Sequence, residues 1–265
     1  LEKDKVNMSD TILIVDDNED ILEFLTKVFT KTYKLHLATS GEAAQQLLEK
    51  ENVDLIISDI MMPGIDGFEL CKSIKSNVEF CHIPIILLTS KNTYKANIEG
   101  LEVGADLYVN KPFSPQLLRV QVANLLQNRL KIKAHIASSP FEDVRVVANS
   151  KTEEAFLKRL DEYVRKNIQD PYLDIDQLAE HMHMSRPTLY RKIKAISSLS
   201  PKELIDVTRL KKATKLIAQN EFTFFEIAKM VGFGSQSLFN KNFLRYFKVS
   251  PQEYMNSLSK DAGDS

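Results

Sequence analysis

The stretch DLIISDIMMPGIDG, residues 54–67, restricts the possible folds of this chain more than any other. Leu55, Ile56 and Ile57 follow one another without polar alternation, so the strand they form must be covered on both faces. A carboxylate, Asp59, then stands at the strand end, where lost hydration is costly unless a partner offsets it. The same pattern recurs along the first half. TILIV (11–15) reads as a buried strand before an amphipathic helix at 18–31, with Ile21, Leu22, Leu25, Val28 and Phe29 inward. YKLHLA (33–38) alternates as a strand, and Ser40 can cap a helix at 41–50. Strand 54–58, a helix near 67–76, the strand IPIILLT (83–89) and a helix at 92–102 follow. A stop at Gly104, the short strand LYVN and a helix at 114–128 complete five strand–helix units. Such alternation argues for an open parallel sheet with helices on both faces. Right-handed crossovers then bring the C-terminal ends of all strands to one rim.

The residues at that rim share one chemistry. The first strand ends in Asp16 and Asp17, the third in Asp59, the fourth in Thr89 and Ser90, and the fifth in Asn110, Lys111 and Pro112. Three carboxylates in one pocket repel each other and take up protons unless a cation neutralises them. A hard divalent ion with oxygen ligands, Mg²⁺, suits them. With Lys111 and a hydroxyl added, the set suits a phosphoryl group. Asp59 can attack phosphorus and become an acyl phosphate, with Thr89 bonding the product. Taken singly, Asp16 or Asp17 reads as a cap of the next helix; the constellation is what carries the site.

ILIVDDN, SDIMMPGIDG, LLTS and YVNKPF, in this order and spacing over residues 10–128, resemble the receiver domain of two-component response regulators. The resemblance implies a flavodoxin-like α/β fold with strand order 2-1-3-4-5 and Asp59 as phosphoacceptor from a histidine kinase. It implies Mg²⁺ held by Asp16, Asp17, Asp59 and the Met61 carbonyl, with Lys111 as the phosphate's partner. Thr89 becomes the switch hydroxyl and Tyr108 the aromatic that turns inward on phosphorylation. Pro112 follows the lysine, where the family usually has a cis bond. Ser90 departs from the commoner Ala or Gly. A haloacid-dehalogenase-type phosphatase also uses an aspartyl nucleophile, Thr, Lys and Mg²⁺. Its nucleophile lies on the first strand, with a second acid two residues on, where this chain has Met61. Nothing resembles a general acid for turnover, so the chain reads as a regulator rather than an enzyme, with no small-molecule substrate.

Charge divides the chain in two. Residues 1–130 hold 13 Lys and Arg against 19 Asp and Glu, a net −6; residues 131–265 hold 22 against 17, a net +5. Within 171–251 the count is 13 against 7, a net +6, which suits a face turned to phosphates. A linker is expected over 129–151, where Ser-Ser-Pro interrupts a stretch without a helical stripe and Val144, Val146 and Val147 suit a short extended segment. From Thr152 the chain reads as helical, with Phe156, Leu160, Tyr163, Val164 and Ile168 on one side.

A period of fifty residues then appears. Leu189 matches Phe239, Arg191 matches Lys241, and Ser200-Pro201 matches Ser250-Pro251. Leu178-Ala179 match Ile227-Ala228 at forty-nine, so the second copy carries one extra residue at its Gly232–Gly234 turn. Each copy reads as a short helix, a tight turn and a second helix capped by Ser185 or Ser235, a helix-turn-helix. In the second helices Leu189, Ile193 and Ile196, and Phe239, Phe243, Tyr246 and Phe247, form inner faces. Arg186, Thr188, Tyr190, Arg191 and Lys194, and Gln236, Ser237, Asn240, Lys241 and Arg245, stay outside. Amides, hydroxyls and arginines are the groups that read base edges in the major groove.

SRPTLYRKIKAISSLSPKELI, RLKKATKLI and IAKMVGFGSQSLFNKNFLRYFKVSPQEYM make residues 155–258 resemble an AraC-family DNA-binding domain, an all-α unit of two helix-turn-helix copies joined by a long helix. The resemblance puts Tyr190, Arg191, Ser237 and Lys241 at the commonest base-contacting positions, with Arg186, Thr188, Gln236 and Asn240 nearby. Lys194, Arg245 and Lys248 suit phosphates. Lys241 departs from the usual arginine and lacks its two-pronged geometry. Helix 201–219, if rigid, sends the two readers into successive major grooves about 34 Å apart.

The expected domains are thus a receiver at 10–128, a linker at 129–151, a DNA-binding domain at 152–258 and a disordered tail at 259–265. The expected function is phosphorylation-controlled transcription regulation, with a histidine kinase, double-stranded promoter DNA and a second copy of the chain as partners. The face near helices 92–102 and 114–128 would dimerise or release the basic domain. The alternative is a phosphorylation-independent DNA-binding dimer whose receiver is an interaction module. At 43% apolar and 27% charged, with apolar runs too short to span a bilayer and no signal segment, the composition suits a soluble protein. Cys71 and Cys81 fit no metal or redox spacing and read as thiols of a reducing cytoplasm. His181 and His183, two residues apart, do not share a helical face and are not expected to bind zinc. A start at Leu1 is expected of a piece of a longer protein. The order of domains also resembles the cytoplasmic end of membrane-anchored hybrid sensors, with a kinase upstream.

Overall fold

The computed structural model describes residues 10–90, 103–141, 148 and 150–261. The helix expected at 92–102 and the extended segment around Val144, Val146 and Val147 lie outside these residues. The chain forms two compact units, one reaching Lys131 and including Ala148–Glu154, the other holding Ile132–Val147 and Ala155 onward.

In the first unit β1 (Thr11–Val15), β2 (Lys34–Ala38), β3 (Leu55–Asp59), β4 (Ile85–Thr89) and β5 (Leu107–Asn110) make one parallel sheet in the order β2-β1-β3-β4-β5. Unalternating runs give both faces an apolar surface. Ile12, Ile14, Ile57 and Leu88 pack with Leu22, Leu25 and Phe29 of α1 (Glu19–Phe29) and with Leu118, Val122 and Leu126 of α4 (Pro115–Ser138). Leu13, Val15, Ile56 and Leu87 pack on the other side with Ala44 and Leu48 of α2 (Gly41–Lys50) and with Leu70 and Ile74 of α3 (Gly67–Ser76). Cys71 and Cys81 are buried thiols, and burial pushes Cys71 up to about 12.

Helix starts follow local capping chemistry. Asn18 caps α1, accepting from the Asp20 and Ile21 amides at 2.9 and 3.3 Å, so neither Asp16 nor Asp17 is spent on that task. Ser40 caps α2, and Asp66 with Glu69 forms a capping box at α3.

Helix α4 runs ten residues past its expected end at 128, so the expected linker begins as helix. Its inward stripe passes the expected end at Arg129, which is buried like Leu126 one turn before it. An arginine standing in an apolar position hides that stripe from a reading of hydrophobicity alone. At the other terminus α11 (Pro251–Asp261) takes up residues 259–261 of the expected disordered tail.

The second unit is helical: α5 (Lys151–Lys166), α6 (Ile175–Met182), α7 (Arg186–Ser197), α8 (Pro201–Gln219), α9 (Phe224–Met230), α10 (Gln236–Phe247) and α11, with the first residues of α5 belonging to the first unit. The fifty-residue period is a period of caps. Ser200 with Glu203 opens α8, and Ser250 with Glu253 bonds in the same pattern at α11. Helices α7 and α10 have twelve residues each and end at left-handed Ser198 and Lys248. Ala179 and Ala228, equivalent in the repeat, are both buried. Phe239 packs between Phe233 and Phe243, with ring centroids 5.7 and 5.6 Å away.

Candidate phosphoacceptor site and nucleic-acid interface

Register assembles the first site. Val15 lies beside Ser58 and Asp59 beside Leu88, so the ends of β1, β3 and β4 meet at the C-terminal rim of the sheet. Asp16 is 2% exposed and Asp59 6%. Lys111, just past β5, reaches both: its Nζ lies 2.6 Å from Asp59 Oδ1 and 3.1 Å from Asp16 Oδ2. Its position is fixed by its own amide, which donates to the Thr89 carbonyl at 2.7 Å, and the Lys111–Pro112 peptide is cis. Asp59 Oδ2 accepts from the Met61 amide at 2.7 Å, and Asp16 Oδ1 from the Asn18 amide at 2.9 Å. Each buried carboxylate therefore has both oxygens engaged.

Asp16 and Lys111 are both held above their ordinary ranges, for different reasons. Burial raises the Asp16 carboxyl above its ordinary range, against the Asn18 amide and Lys111, which lower it. Burial alone would depress Lys111, but its bonds to Asp59 and Asp16 outweigh that and hold its ammonium above the usual lysine range.

Asp17, next to Asp16 in the chain, makes no contact with Lys111. It is exposed on the rim, and among the described residues no three His, Cys, Asp or Glu side chains are grouped closely enough to hold a metal. Of the three carboxylates expected from sequence, the two buried ones share one ammonium and the third, Asp17, is exposed. Two negative charges against one positive leave an excess of one, on hard oxygen donors. That chemistry fits a hard dication. Thr89 is buried at the end of β4. Tyr108 packs against Phe68 with centroids 6.5 Å apart, and its hydroxyl is buried with no hydrogen-bond partner among the described residues. Burial pushes that phenol upward, with Cys71 adding to it.

Three further positioning features appear in the first unit. Gly67 opens α3 against the Asp59 carbonyl; a Cβ there would stand 2.2 Å from that oxygen. Glu42 accepts from the Ile65 amide at 3.1 Å and so pins the loop after Asp59 to the start of α2. At the opposite end of the sheet, buried Lys75 donates to Asp106 at 2.7 Å and to the Ile83 carbonyl at 2.9 Å. Gly67 has a signal in the sequence, an Asp-Gly pair at a helix start; the other two have none.

The second site is distributed over two helices. Arg186, Tyr190, Arg191 and Lys194 of α7 are exposed, as are Ser237, Asn240, Lys241 and Arg245 of α10 and Lys248 after it. Thr188 and Gln236 are half-buried, and Thr188 accepts from the capping Ser185 hydroxyl at 2.9 Å, so neither is as open as expected. Lys194 and Lys248 donate to carbonyls at their own helix ends, Ser198 and Arg245, at 2.8 and 2.9 Å. Arg186 pairs with Asp176 at 3.3 Å in the open. Lys192, in the same basic run, is 1% exposed, lies 5.6 Å from the Phe156 ring centre and belongs to the core. His181 stacks on Tyr163, centroids 4.1 Å apart. No helix among the described residues is long and apolar enough to cross a membrane.

Comparison with known proteins agrees with this division. Residues 12–123 match the response regulator receiver domain family, and residues 178–257 match a helix-turn-helix domain family. The chain is 35% identical over 250 residues to histidine kinase P4 of Formosa agariphila, covering 94% of this chain and 18% of that one. It is 39% identical over 123 residues to the heme response regulator HssR of Staphylococcus epidermidis, covering 46% of this chain and 53% of that one. The chain thus spans about half the length of one relative and under a fifth of the other. A solved receiver domain of a signal transduction histidine kinase from Syntrophus aciditrophicus is 35% identical, covers 44% of this chain and 90% of its own, and has a TM-score of 0.43. Matched in both halves and in this order, the chain carries a response regulator receiver domain followed by an AraC-type helix-turn-helix domain.

Proposed function

We propose that this chain is a phosphorylation-controlled transcription regulator in which Asp59 accepts a phosphoryl group from a histidine kinase. The observation that carries this reading is Lys111 bridging Asp59 and Asp16 at the sheet rim, in a chain that continues into two helix-turn-helix copies. An Asp59 oxygen attacks phosphorus, the bond from phosphorus to the kinase imidazole breaks, and the imidazole nitrogen leaves with the electron pair. Lys111 follows the new charge, leaving the Asp59 carboxylate for a phosphoryl oxygen. Asp16, Asp17, Asp59 and the Met61 carbonyl would hold Mg²⁺, which when bound offsets negative charge on the phosphoryl oxygens. Thr89 bonds the phosphoryl group, and the space it leaves favours one packing of Tyr108, so the two form the switch.

The output is DNA binding. Arg186, Thr188, Tyr190, Arg191, Gln236, Ser237, Asn240 and Lys241 face base edges, and Lys194, Arg245 and Lys248 face phosphates. Two phosphorylated copies bind repeated promoter sites more tightly through effective concentration. The alignment along a much longer histidine kinase supports a place at the cytoplasmic end of a hybrid sensor, with the kinase upstream in the same chain.

The test is DNA binding with and without beryllofluoride and Mg²⁺, wild type against Asp59→Asn. A tighter complex with wild type only is expected, with a steep salt slope in both. Binding that ignores beryllofluoride in wild type would leave the receiver as an interaction module and sink the phosphorylation control.

A further inference from the structure

We infer that Arg209 is a positioning residue that fixes the relative orientation of the two DNA-reading helices, an inference that rests on the second unit being a DNA reader. Arg209 lies at the middle of α8, the helix between the two copies, and is 6% exposed. Its Nη2 donates to the Asp170 carbonyl at 2.5 Å and its Nε to the Ile168 carbonyl at 3.4 Å, holding the chain that leads into the first copy. The same guanidinium lies 5.8 Å from the centre of the Phe233 ring, in the turn of the second copy. Asp206, one helical turn back, stands 3.7 Å from Nη1 and offsets the buried charge. One side chain thus grips both reading units.

The broken repeat points to the same place. The turn of the first copy passes through left-handed His183, φ 54°; forty-nine residues on, the turn of the second passes through Gly232, φ 82°. Histidine fits the first position because its side chain is exposed. The second admits only glycine: a Cβ would stand 2.1 Å from the Ile168 carbonyl and 3.1 Å from Arg209 Nε and Nη2. The second copy therefore departs from the first where Arg209 docks. A long helix fixes the distance between two units but leaves each free to rock about it. A planar fork bonded to one unit and stacked on the other removes that freedom.

The test uses the full chain and a duplex that wild type selects from random sequence, with a second duplex carrying an extra half-turn between the two subsites. Wild type should lose on the order of a hundredfold on insertion, the gain that simultaneous engagement supplies. Arg209→Met, which keeps an apolar stem of similar length, should bind the selected duplex about tenfold more weakly and lose less than about threefold on insertion, as loosely joined units do. Arg209→Lys should fall with Arg209→Met, since charge without the fork cannot grip both units. A folded Arg209→Met chain that keeps the wild-type insertion penalty overturns the inference. Amide hydrogen exchange separates this failure from that of the DNA reading. If wild type selects no duplex, the DNA reading fails, and the grip is still read from the amides of Leu173 and Phe233. These should exchange faster in Arg209→Met while α8 stays protected; unchanged exchange there also overturns the inference.

Discussion

Lys111 Nζ lies 2.6 Å from Asp59 Oδ1, within a rim where Asp16 is its second partner. Removing one side of a buried pair leaves an uncompensated charge, which costs far more than the pair contributes when intact. Here two carboxylates lose their shared cation.

Lys111→Met should therefore lower stability at pH 7 by about 3 kcal/mol, the low end for a broken buried pair because the lysine retains some exposure. Urea unfolding followed by circular dichroism measures it. The pH dependence has a definite sign. A lysine held above its ordinary range stabilises the fold fully below about pH 10.4 and loses that contribution as pH rises through its folded value. The wild-type advantage over Lys111→Met should thus persist across the neutral range and fade only in strong alkali.

Asp16→Asn should act in the opposite direction. A carboxyl raised by burial stabilises the fold below its unfolded value, about pH 3.9, and that contribution is lost as pH rises through the folded value. At pH 7 wild type carries the cost of a buried charge that asparagine lacks. Asp16→Asn should raise the urea midpoint at pH 7 and show no such gain near pH 3.5. Its uptake of phosphate from acetyl phosphate should fall, because a donor to the proposed metal is gone. A midpoint equal to wild type at both pH values would show that Asp16 is not under strain.

Gly67→Ala tests the close approach at the end of β3. The added Cβ would stand 2.2 Å from the Asp59 carbonyl oxygen, a backbone atom that cannot swing aside. A loss of about 1–3 kcal/mol is expected, as for overpacking in a core, with slower phosphorylation because α3 must shift. Gly234→Ala is the control: nothing lies within 4 Å of its Cβ position and it needs no left-handed backbone. Differential scanning fluorimetry should show a fall for the first and little change for the second.

These sites were not equally legible. Asp59 and its strand can be read from sequence because an unalternating apolar run ending in a carboxylate has few homes. The convergence of Asp16 and Lys111 follows from parallel topology alone, since each lies just past a strand end. Asp17 shows the limit of that argument: adjacency to Asp16 does not say which of two neighbouring acids the backbone turns inward. The end of α4 is illegible because Arg129 stands in the buried stripe, and hydrophobic periodicity gives no weight to an arginine. Arg209 hides for the same reason. A buried arginine reads as a surface one until the carbonyls it serves, at Ile168 and Asp170, are brought beside it by the fold. The fifty-residue echo, by contrast, is fully legible, because caps are local chemistry: Ser200 with Glu203 and Ser250 with Glu253 need only three residues of separation.

The two reading helices should divide their work between bases and backbone, and single substitutions can tell the two apart. Arg191 and Lys241 are exposed, fifty residues apart and equivalent in the repeat. If each reads a base edge, alanine at either should cost about 1–3 kcal/mol on the selected duplex and flatten the preference at one subsite only. Lys241→Arg should sharpen discrimination at its own subsite, because a guanidinium can make the paired contact to guanine that an ammonium cannot. Lys194 and Lys248 already serve carbonyls at the C-terminal ends of their helices. Alanine there should weaken binding to all sequences alike and reduce the slope of log affinity against log salt by about one per residue removed. Titration of wild type and the four alanine variants against single-base-pair changes, each at two salt concentrations, separates these outcomes. A position-specific loss for Lys248→Ala, or a uniform one for Arg191→Ala, would reverse the assignment of that residue.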